Sequence, residues 1–521
     1  MKLNYKRTIL VGFAFFLICA FWQAYDATIP MILTNKFGMS QAWSGVIMAA
    51  DNVLAVVLLP LFGTLSDKCR HKSGRRTPFI VVGTLCAALL LVGLSFADNA
   101  QLKNVSAVAA VDDPAALETI YDSQKDARLM TPSGAAFTLG EQFTRAEFTA
   151  ITAKVTVEGA EVTNSDYTNY VVPARQAYVA DVTAQNPSTL IVFVVLLLLI
   201  LLSMAVFRSP AVALMPDVTL KPLRSKANAV INLMGSMGGI LVLVLGIVCA
   251  TSAVENAMMS YIGYFGVVAA LMLASLVIFL LTVREPQWSA EMEKNSIEYG
   301  IEEATAEGAA AARKLTAEEK RSLLFIMLSI VLWFFGYNAV ISKYSVYASN
   351  ILHKDYNLTL IIAQAAAIIA YLPVGFISSK IGRKRAIQSG IVMLATAFFV
   401  ACFMGANSST LLMNAMFALA GIGWATINVN SFPMVVELAS GSNVGKYTGL
   451  YYTASMAAQI ATPMFSGLLM DIFGMRVLFP YAAVFVALAF LTMRFVRHGD
   501  STPAEAVADK PTAIEDTEES E

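Results

Sequence analysis

Three ionisable side chains sit inside stretches that are otherwise apolar: Asp26 in "FWQAYDATIP", Asp51 in "GVIMAADNVLAVV" and Arg208 in "LLSMAVFRSPAVALMP". A charge at the centre of a bilayer costs roughly 2.5–3.5 kcal/mol on insertion scales, so a chain that keeps one there has a use for it. A carboxylate in a partly dry cavity can exchange a proton near neutral pH. Asp26, toward the far end of its run and just before Pro30, expected to end the helix, is the first candidate for a proton carrier, and Asp51 is its competitor. Arg208 either offers its guanidinium to a bound molecule or forms a structural pair with Asp51. Lys343 is expected to snorkel to the outer surface.

A second group of charges is packed into "GTLSDKCRHKSGRRTP", residues 63–78. Gly63 permits close helix approach, and Asp67 sits where it can meet the positive end of another helix or an Arg, worth about 0.3–2 kcal/mol. Asp217 and Glu437, at equivalent ends of two later runs, are placed to pair with Arg75 or Arg76 and with Arg383. Together Gly63, Asp67, Arg75, Arg76, Asp217, Arg383 and Glu437 form a candidate cytoplasmic gate, a latch that must break when the molecule changes state. The second copy of the loop, "GFISSKIGRK", is asymmetric, with Ser379 standing where Asp67 stands in the first.

The elements that must position these groups are membrane helices. The chain is 57% hydrophobic and 14% charged over 521 residues, against roughly 45–50% and 25% in soluble proteins. Apolar runs able to cross a core of roughly 30 Å fall at 8–31, 41–64, 77–97, 189–215, 227–250, 259–283, 321–348, 357–379, 386–405, 410–434, 447–470 and 475–497. Only helices satisfy the backbone of so many lipid-facing segments. The fold class expected is therefore an all-α membrane protein with twelve transmembrane helices.

Lys68, Arg70, Lys72, Arg75 and Arg76 lie between runs two and three, Lys221, Arg224 and Lys226 between four and five, and Lys380, Arg383, Lys384 and Arg385 between eight and nine. The positive-inside rule makes these loops cytoplasmic and leaves both termini inside, as expected of a multi-pass plasma-membrane protein. The first run, despite its basic start, reads as a retained helix rather than a cleaved signal.

The net charge of -1 argues against a nucleic-acid partner. Cys19, Cys86, Cys249 and Cys402 lie inside apolar runs and Cys69 in the basic loop, so they read as fillers rather than disulfides. No metal-ligand spacing, phosphate loop or nucleophile motif occurs in the sequence. The three histidines are scattered, His71 and His498 beside inner ends and His353 in an outer loop. The reading is thus of no enzyme, no metal and no cofactor, with a lipid bilayer and a small-molecule substrate as partners of a monomer.

The chain repeats itself. "PDVTLKPLRSKANAVINLMGSMGGI" from Pro216 aligns without gaps on "VELASGSNVGKYTGLYYTASMAAQI" from Val436, an offset of 220, while "GRR" at Gly74 matches "GRK" at Gly382 at an offset of 308. The difference, 88 residues, requires an insertion in the first half, and the hydrophilic stretch 98–187 supplies it. The expected domains are an N-terminal six-helix half over 1–283, an acidic extracellular insertion over 98–187, a charged linker over 284–320, a C-terminal half over 321–499 and a disordered acidic tail over 500–521. A capping box from Thr144 to Glu147 and a strand-like "KVTVEG" predict a small α/β subdomain in the insertion.

Two homologous six-helix halves with basic loops between runs two and three and between eight and nine resemble the major facilitator superfamily. Within it, "GTLSDKCRHKSGRRTPF", "SPAVALMPDVT", "LRSKANAVINLMG" and "GIGWATINVNSFPMVVEL" look like the plant sucrose transporters and their relatives, near the glycoside, pentoside and hexuronide cation symporters. The resemblance implies uptake of a sugar or glycoside coupled to a cation, expected to be H+. The alternative is a non-sugar solute moved in either direction, coupled to Na+ or uncoupled. It also implies that Asp67 faces the start of span eleven, near Gly445, when the cytoplasmic side closes. The related sucrose transporters carry an arginine at the position of Val212, whereas Arg208 stands one helical turn earlier. For a sugar, amides and aromatics are the expected contacts: Trp22, Gln23 and Tyr25 in span one, Tyr337 and Asn338 in span seven, Trp424, Asn428 and Asn430 in span ten, and Tyr452 and Gln459 in span eleven.

Overall fold

A backbone surrounded by lipid must pair its own N–H and C=O groups, and this chain does so within helices. The computed structural model describes residues 3–157, 160–220, 223–298, 315–438 and 444–498. The first half consists of α1 Tyr5–Asn35, α2 Gln41–Asp67, α3 Thr77–Asn104, α4 Ser188–Asp217, α5 Arg224–Val248 and α6 Ile262–Thr282. The second consists of α7 Ala317–Tyr347, α8 Tyr356–Ile381, α9 Arg383–Ala401, α10 Thr410–Glu437, α11 Val444–Phe473 and α12 Leu478–Arg494. Among the described residues, 11 helices are long and apolar enough to cross a membrane; α8 adds the shorter apolar stretch Tyr356–Tyr371.

Local chemistry sets the helix ends. Asn4 caps α1, Ser40 caps α2, and Thr316 with Glu319 forms a capping box on α7. Pro30 does not end α1, which runs on to Asn35. Proline removes only the hydrogen bond to the residue four before it, here Asp26, and Thr34 Oγ1 donates to the Pro30 carbonyl at 2.9 Å. Likewise α3 continues past residue 97 to Asn104, because the polar residues there are partnered inside the protein. Lys36 and Asp98 form a fully buried ion pair at 2.6 Å, and Lys36 also donates to the Met259 carbonyl at 2.6 Å.

Each half has its own apolar core, and α1 contributes to both: Leu17, Phe21 and Ile32 pack in the first, Ala27 and Met31 in the second. The insertion carries a third core of Leu117, Ile120, Phe137, Phe148, Tyr167 and Val179. It contains helices Pro114–Gln124 and Val172–Gln185 and two antiparallel hairpins, β1 Arg128–Met130 with β2 Ala136–Thr138 and β3 Lys154–Val157 with β4 Ala160–Thr163. The capping box of Thr144 and Glu147 is present, and "KVTV" is β3.

The halves meet where α2 packs on α11, α5 on α8 and α1 on α7. Small residues allow these approaches. A Cβ on Gly45 would collide with the Pro463 carbonyl, and one on Gly467 with the Gln41 carbonyl. Asp471 of α11 caps the start of α2, accepting from the Gln41 and Ala42 amides at 2.8 Å each. Lys343 does not snorkel: its side chain is fully buried and donates to the Gln41 carbonyl at 2.6 Å. Its ammonium finds a carbonyl and the nearby Asp471 inside the seam, which removes the drive to reach water. Beyond α5, Thr251 bonds Tyr356 at 2.7 Å and Asn357 at 3.2 Å. All of these contacts lie at the insertion end of the bundle.

Candidate functional site

α1, α2 and α4 bring the three in-span charges into one place. Asp26, Asp51 and Arg208 lie within electrostatic reach of one another. Among the described residues Arg208 makes no ion pair with either carboxylate, so the structural pair with Asp51 is not formed. Its guanidinium instead lies 5.4 Å over the Trp22 ring, a cation–π contact. Asp51 accepts from its neighbour Asn52 at 2.8 Å.

Several candidate side chains carry polar atoms without partners. Trp22 Nε1, Tyr25 Oη, Asn338 Nδ2 and Gln364 Oε1 are buried and unbonded. Buried polar groups are paired in the great majority of cases, so these atoms are available as hydrogen-bonding groups. Gln364 of α8 was not singled out by the sequence. Its carboxamide lies 3.0 Å from where a Cβ on Gly239 would sit, with Gln23 Oε1 3.6 Å from the same point. The signal was available: an amide embedded in the apolar run "LIIAQAAAIIAY".

The aromatic candidates differ in how much face they leave free. Trp424 and Tyr337 stack on one another at 3.6 Å and 2°, covering one face of each. Trp22 meets Tyr25 edge-on at 5.4 Å. Asn428 is exposed near Tyr371, and Tyr452 is half-exposed near Arg208. Two amides turn to their own helices instead: Gln459 donates to the Ser455 carbonyl at 3.2 Å and Asn430 to the Thr426 carbonyl at 2.9 Å.

At the basic-loop end, Asp217 takes both arginines, with Arg75 at 2.6 Å and Arg76 at 2.8 Å. Arg76 also holds Asp67 at 2.5 Å and bonds Ser66. In this arrangement Asp67 is therefore bound within its own half. Gly63 lets α2 approach Ser209 of α4, whose Oγ would lie 2.9 Å from a Cβ there. The side chain of Glu437 and the surroundings of Gly445 lie outside what is described, so the pairing expected for Glu437 with Arg383 and the approach of Asp67 to Gly445 do too. A carboxylate missed by the sequence reading completes the network: Glu285, buried after α6, accepts from the Arg76 and Thr77 amides at 2.8 Å each and so caps α3. It heads the helix Glu285–Glu298, whose Glu291 pairs with Arg7 at 2.5 Å.

Residues 10–109 match the family model described as MFS/sugar transport protein, and residues 350–517 the model described as Major Facilitator Superfamily, one in each half. Each half is thus similar to a model of the major facilitator superfamily. The chain also aligns over 95% of its length with the xylose transporter XylE from E. coli in an inward-open conformation, covering 97% of that chain with a TM-score of 0.56 and 14% identity. A bacterial homologue of the iron transporter ferroportin in an inward-facing state gives a TM-score of 0.58 at 11% identity, over 95% and 100% of the two chains. At such identities the likeness is one of fold. Among curated proteins, a sucrose transport protein of Arabidopsis thaliana is 40% identical over 68 residues, 13% of this chain. One from Oryza sativa subsp. indica is 42% identical over 68 residues. These matches span only 11% of the sucrose transport proteins' own length. Family and fold are those of membrane transporters.

Proposed function

We propose that the protein is an alternating-access secondary transporter that takes up a sugar or glycoside together with a proton. The observation that carries this reading is Arg208, held in reach of Asp26 and Asp51 yet bonded to neither. A proton arriving on one carboxylate changes the field at the guanidinium, and a bound hydroxyl competes for the same donors. Substrate and proton are coupled through one shared cation. Asp26 is the proposed proton carrier, with Asp51 its competitor. Trp22, Gln23, Tyr25, Asn338, Gln364 and Asn428 are the proposed hydroxyl contacts. Trp424 supports the site from beneath Tyr337, and Gln459, bonded within its own helix, has the weakest claim. The short sucrose-transporter matches and the clustered amides and aromatics favour a sugar over other solutes.

The halves then rock about this mid-membrane site. The ion pairs around Asp67, Asp217, Arg75 and Arg76 are the proposed cytoplasmic gate, and the positive-inside rule assigns that side and both termini to the cytoplasm of a plasma-membrane protein. The test is external pH in a lightly buffered suspension of expressing cells while mono- and disaccharides and glycosides are added singly. Alkalinisation by one sugar, absent with Asp26→Asn although exchange of that sugar persists, is the expected result. No response to any sugar, or unchanged accumulation by Asp26→Asn, overturns the corresponding part.

A further inference from the structure

The insertion is covalently part of the first half, entering from α3 and leaving into α4, and it is tied down there. Gln176 donates to Asn35 Oδ1 at 2.9 Å, and Gln101 bonds Thr183 at 3.0 Å. Lys154 pairs with Glu255, in the connection between α5 and α6, at 2.5 Å. Yet two of its segments reach across to the second half. The turn between β1 and β2 meets the corner between α11 and α12. Met475 N donates to the Pro132 carbonyl at 2.7 Å, and Gly134 and Gly474 lie backbone to backbone. Both glycines have positive φ, +95° and +84°, and a Cβ on either would strike the other's segment. The second bridge is Thr168 Oγ1 to His353 Nε2 at 2.9 Å, at the corner between α7 and α8. Burial holds the His353 imidazole below its usual pKa, so the ring is neutral at pH 7 and this bond joins two uncharged groups.

We propose that residues 105–187 are a clasp across the insertion-side gate, holding the two halves together when that side is closed and releasing the α7–α8 and α11–α12 corners when it opens. The geometry fits a releasable contact rather than a permanent one. Each bridge is one hydrogen bond between neutral groups, worth about 0.5–1.5 kcal/mol net. A cavity of about 140 Å³ persists at the junction of the three bodies, lined by Gln41, Gln176, Asn350, Asp471 and Met475 among others. The second half has no counterpart between α9 and α10, so the two halves contribute unequally to the gate at this end.

The inference rests on the alternating-access reading, and its test uses a reporter that needs no substrate. Ser44 is fully buried in the α2–α11 seam. With the five native cysteines replaced by alanine in the full chain, Ser44→Cys should react slowly with a membrane-impermeant maleimide applied on the insertion side. Thr168→Val and Gly134→Ala should each speed that reaction, by roughly five-fold for one net hydrogen bond. Thr168→Val imposes no backbone strain and serves if Gly134→Ala folds poorly. Conversely, Pro132→Cys with Met475→Cys, whose backbones meet in the 2.7 Å hydrogen bond, should slow labelling at least about ten-fold once oxidised to a cross-link that a mass shift verifies, reversibly with reductant. Unchanged labelling in Thr168→Val together with unchanged labelling after oxidation overturns the clasp alone. A parent Ser44→Cys that never reacts, so that this side never opens, overturns the clasp and the alternating-access reading together.

Discussion

Gln364 has a buried, unbonded oxygen, and its carboxamide lies against Gly239 close to Gln23. Gln364→Met keeps length and volume but removes both hydrogen-bonding atoms. The sugar concentration for half-maximal uptake should rise roughly five- to ten-fold, the worth of one hydrogen bond, with surface expression unchanged; initial-rate uptake measures it. An unaltered half-saturation would place Gln364 in packing instead. Charged residues were easier to find than this amide. Asp26, Asp51 and Arg208 announce themselves because a charge in an apolar run has a large and specific cost, whereas Gln364 carries a smaller one. What the sequence hid at Arg208 was its partner: spacing alone left both Asp51 and a bound molecule open, and only three-dimensional placement shows Trp22 beneath the guanidinium.

Helices follow closely from hydropathy, and their ends do not. All of the apolar runs became helices, but α1 passed through Pro30 and α3 ran to Asn104 because partners from other elements completed their polar groups. Lys343 illustrates the same limit. Near the end of a run it looks like a snorkelling side chain, and only the packing of α2 against α11 supplies the Gln41 carbonyl that buries it. The capping of α2 by Asp471 is a link between halves made by two backbone amides. Asp471→Asn keeps the shape but loses the charge and one acceptor oxygen. A lost cap costs about 0.5–2 kcal/mol, so the closed arrangement at this end should lose population. Spin-label distances between the start of α2 and the end of α11 should broaden toward longer values, and an unchanged distribution would make Asp471 a local cap only.

At the scale of the whole molecule, three bodies share two seams, with the proposed substrate site between the halves and the insertion spanning their far end. The repeat offsets made the two halves and the size of the extra segment legible, since 88 residues separate the two registers. They carried no information on what the segment touches, because the Gly134–Gly474 and Thr168–His353 contacts join positions far apart in sequence with no pattern relating them.

The buried pair of Lys36 and Asp98 bears on how such a chain is made. Lys36 leaves the ribosome 62 residues before its carboxylate and 223 before the Met259 carbonyl that completes its shell. Until α3 and the start of α6 arrive, a cation without a partner stands at the end of α1, so the first half is complete only after the whole insertion has been synthesised. Breaking a buried pair costs roughly 3–5 kcal/mol, and the loss falls on assembly rather than on turnover. Asp98→Asn should cut the yield of folded, membrane-inserted protein several-fold while the molecules that do mature transport with ordinary affinity, a split that pulse-chase maturation and uptake per folded molecule can resolve. The corner formed by α1, α3 and α6 would then act as a checkpoint in biogenesis, deciding how many copies reach the membrane and leaving untouched what each copy does there.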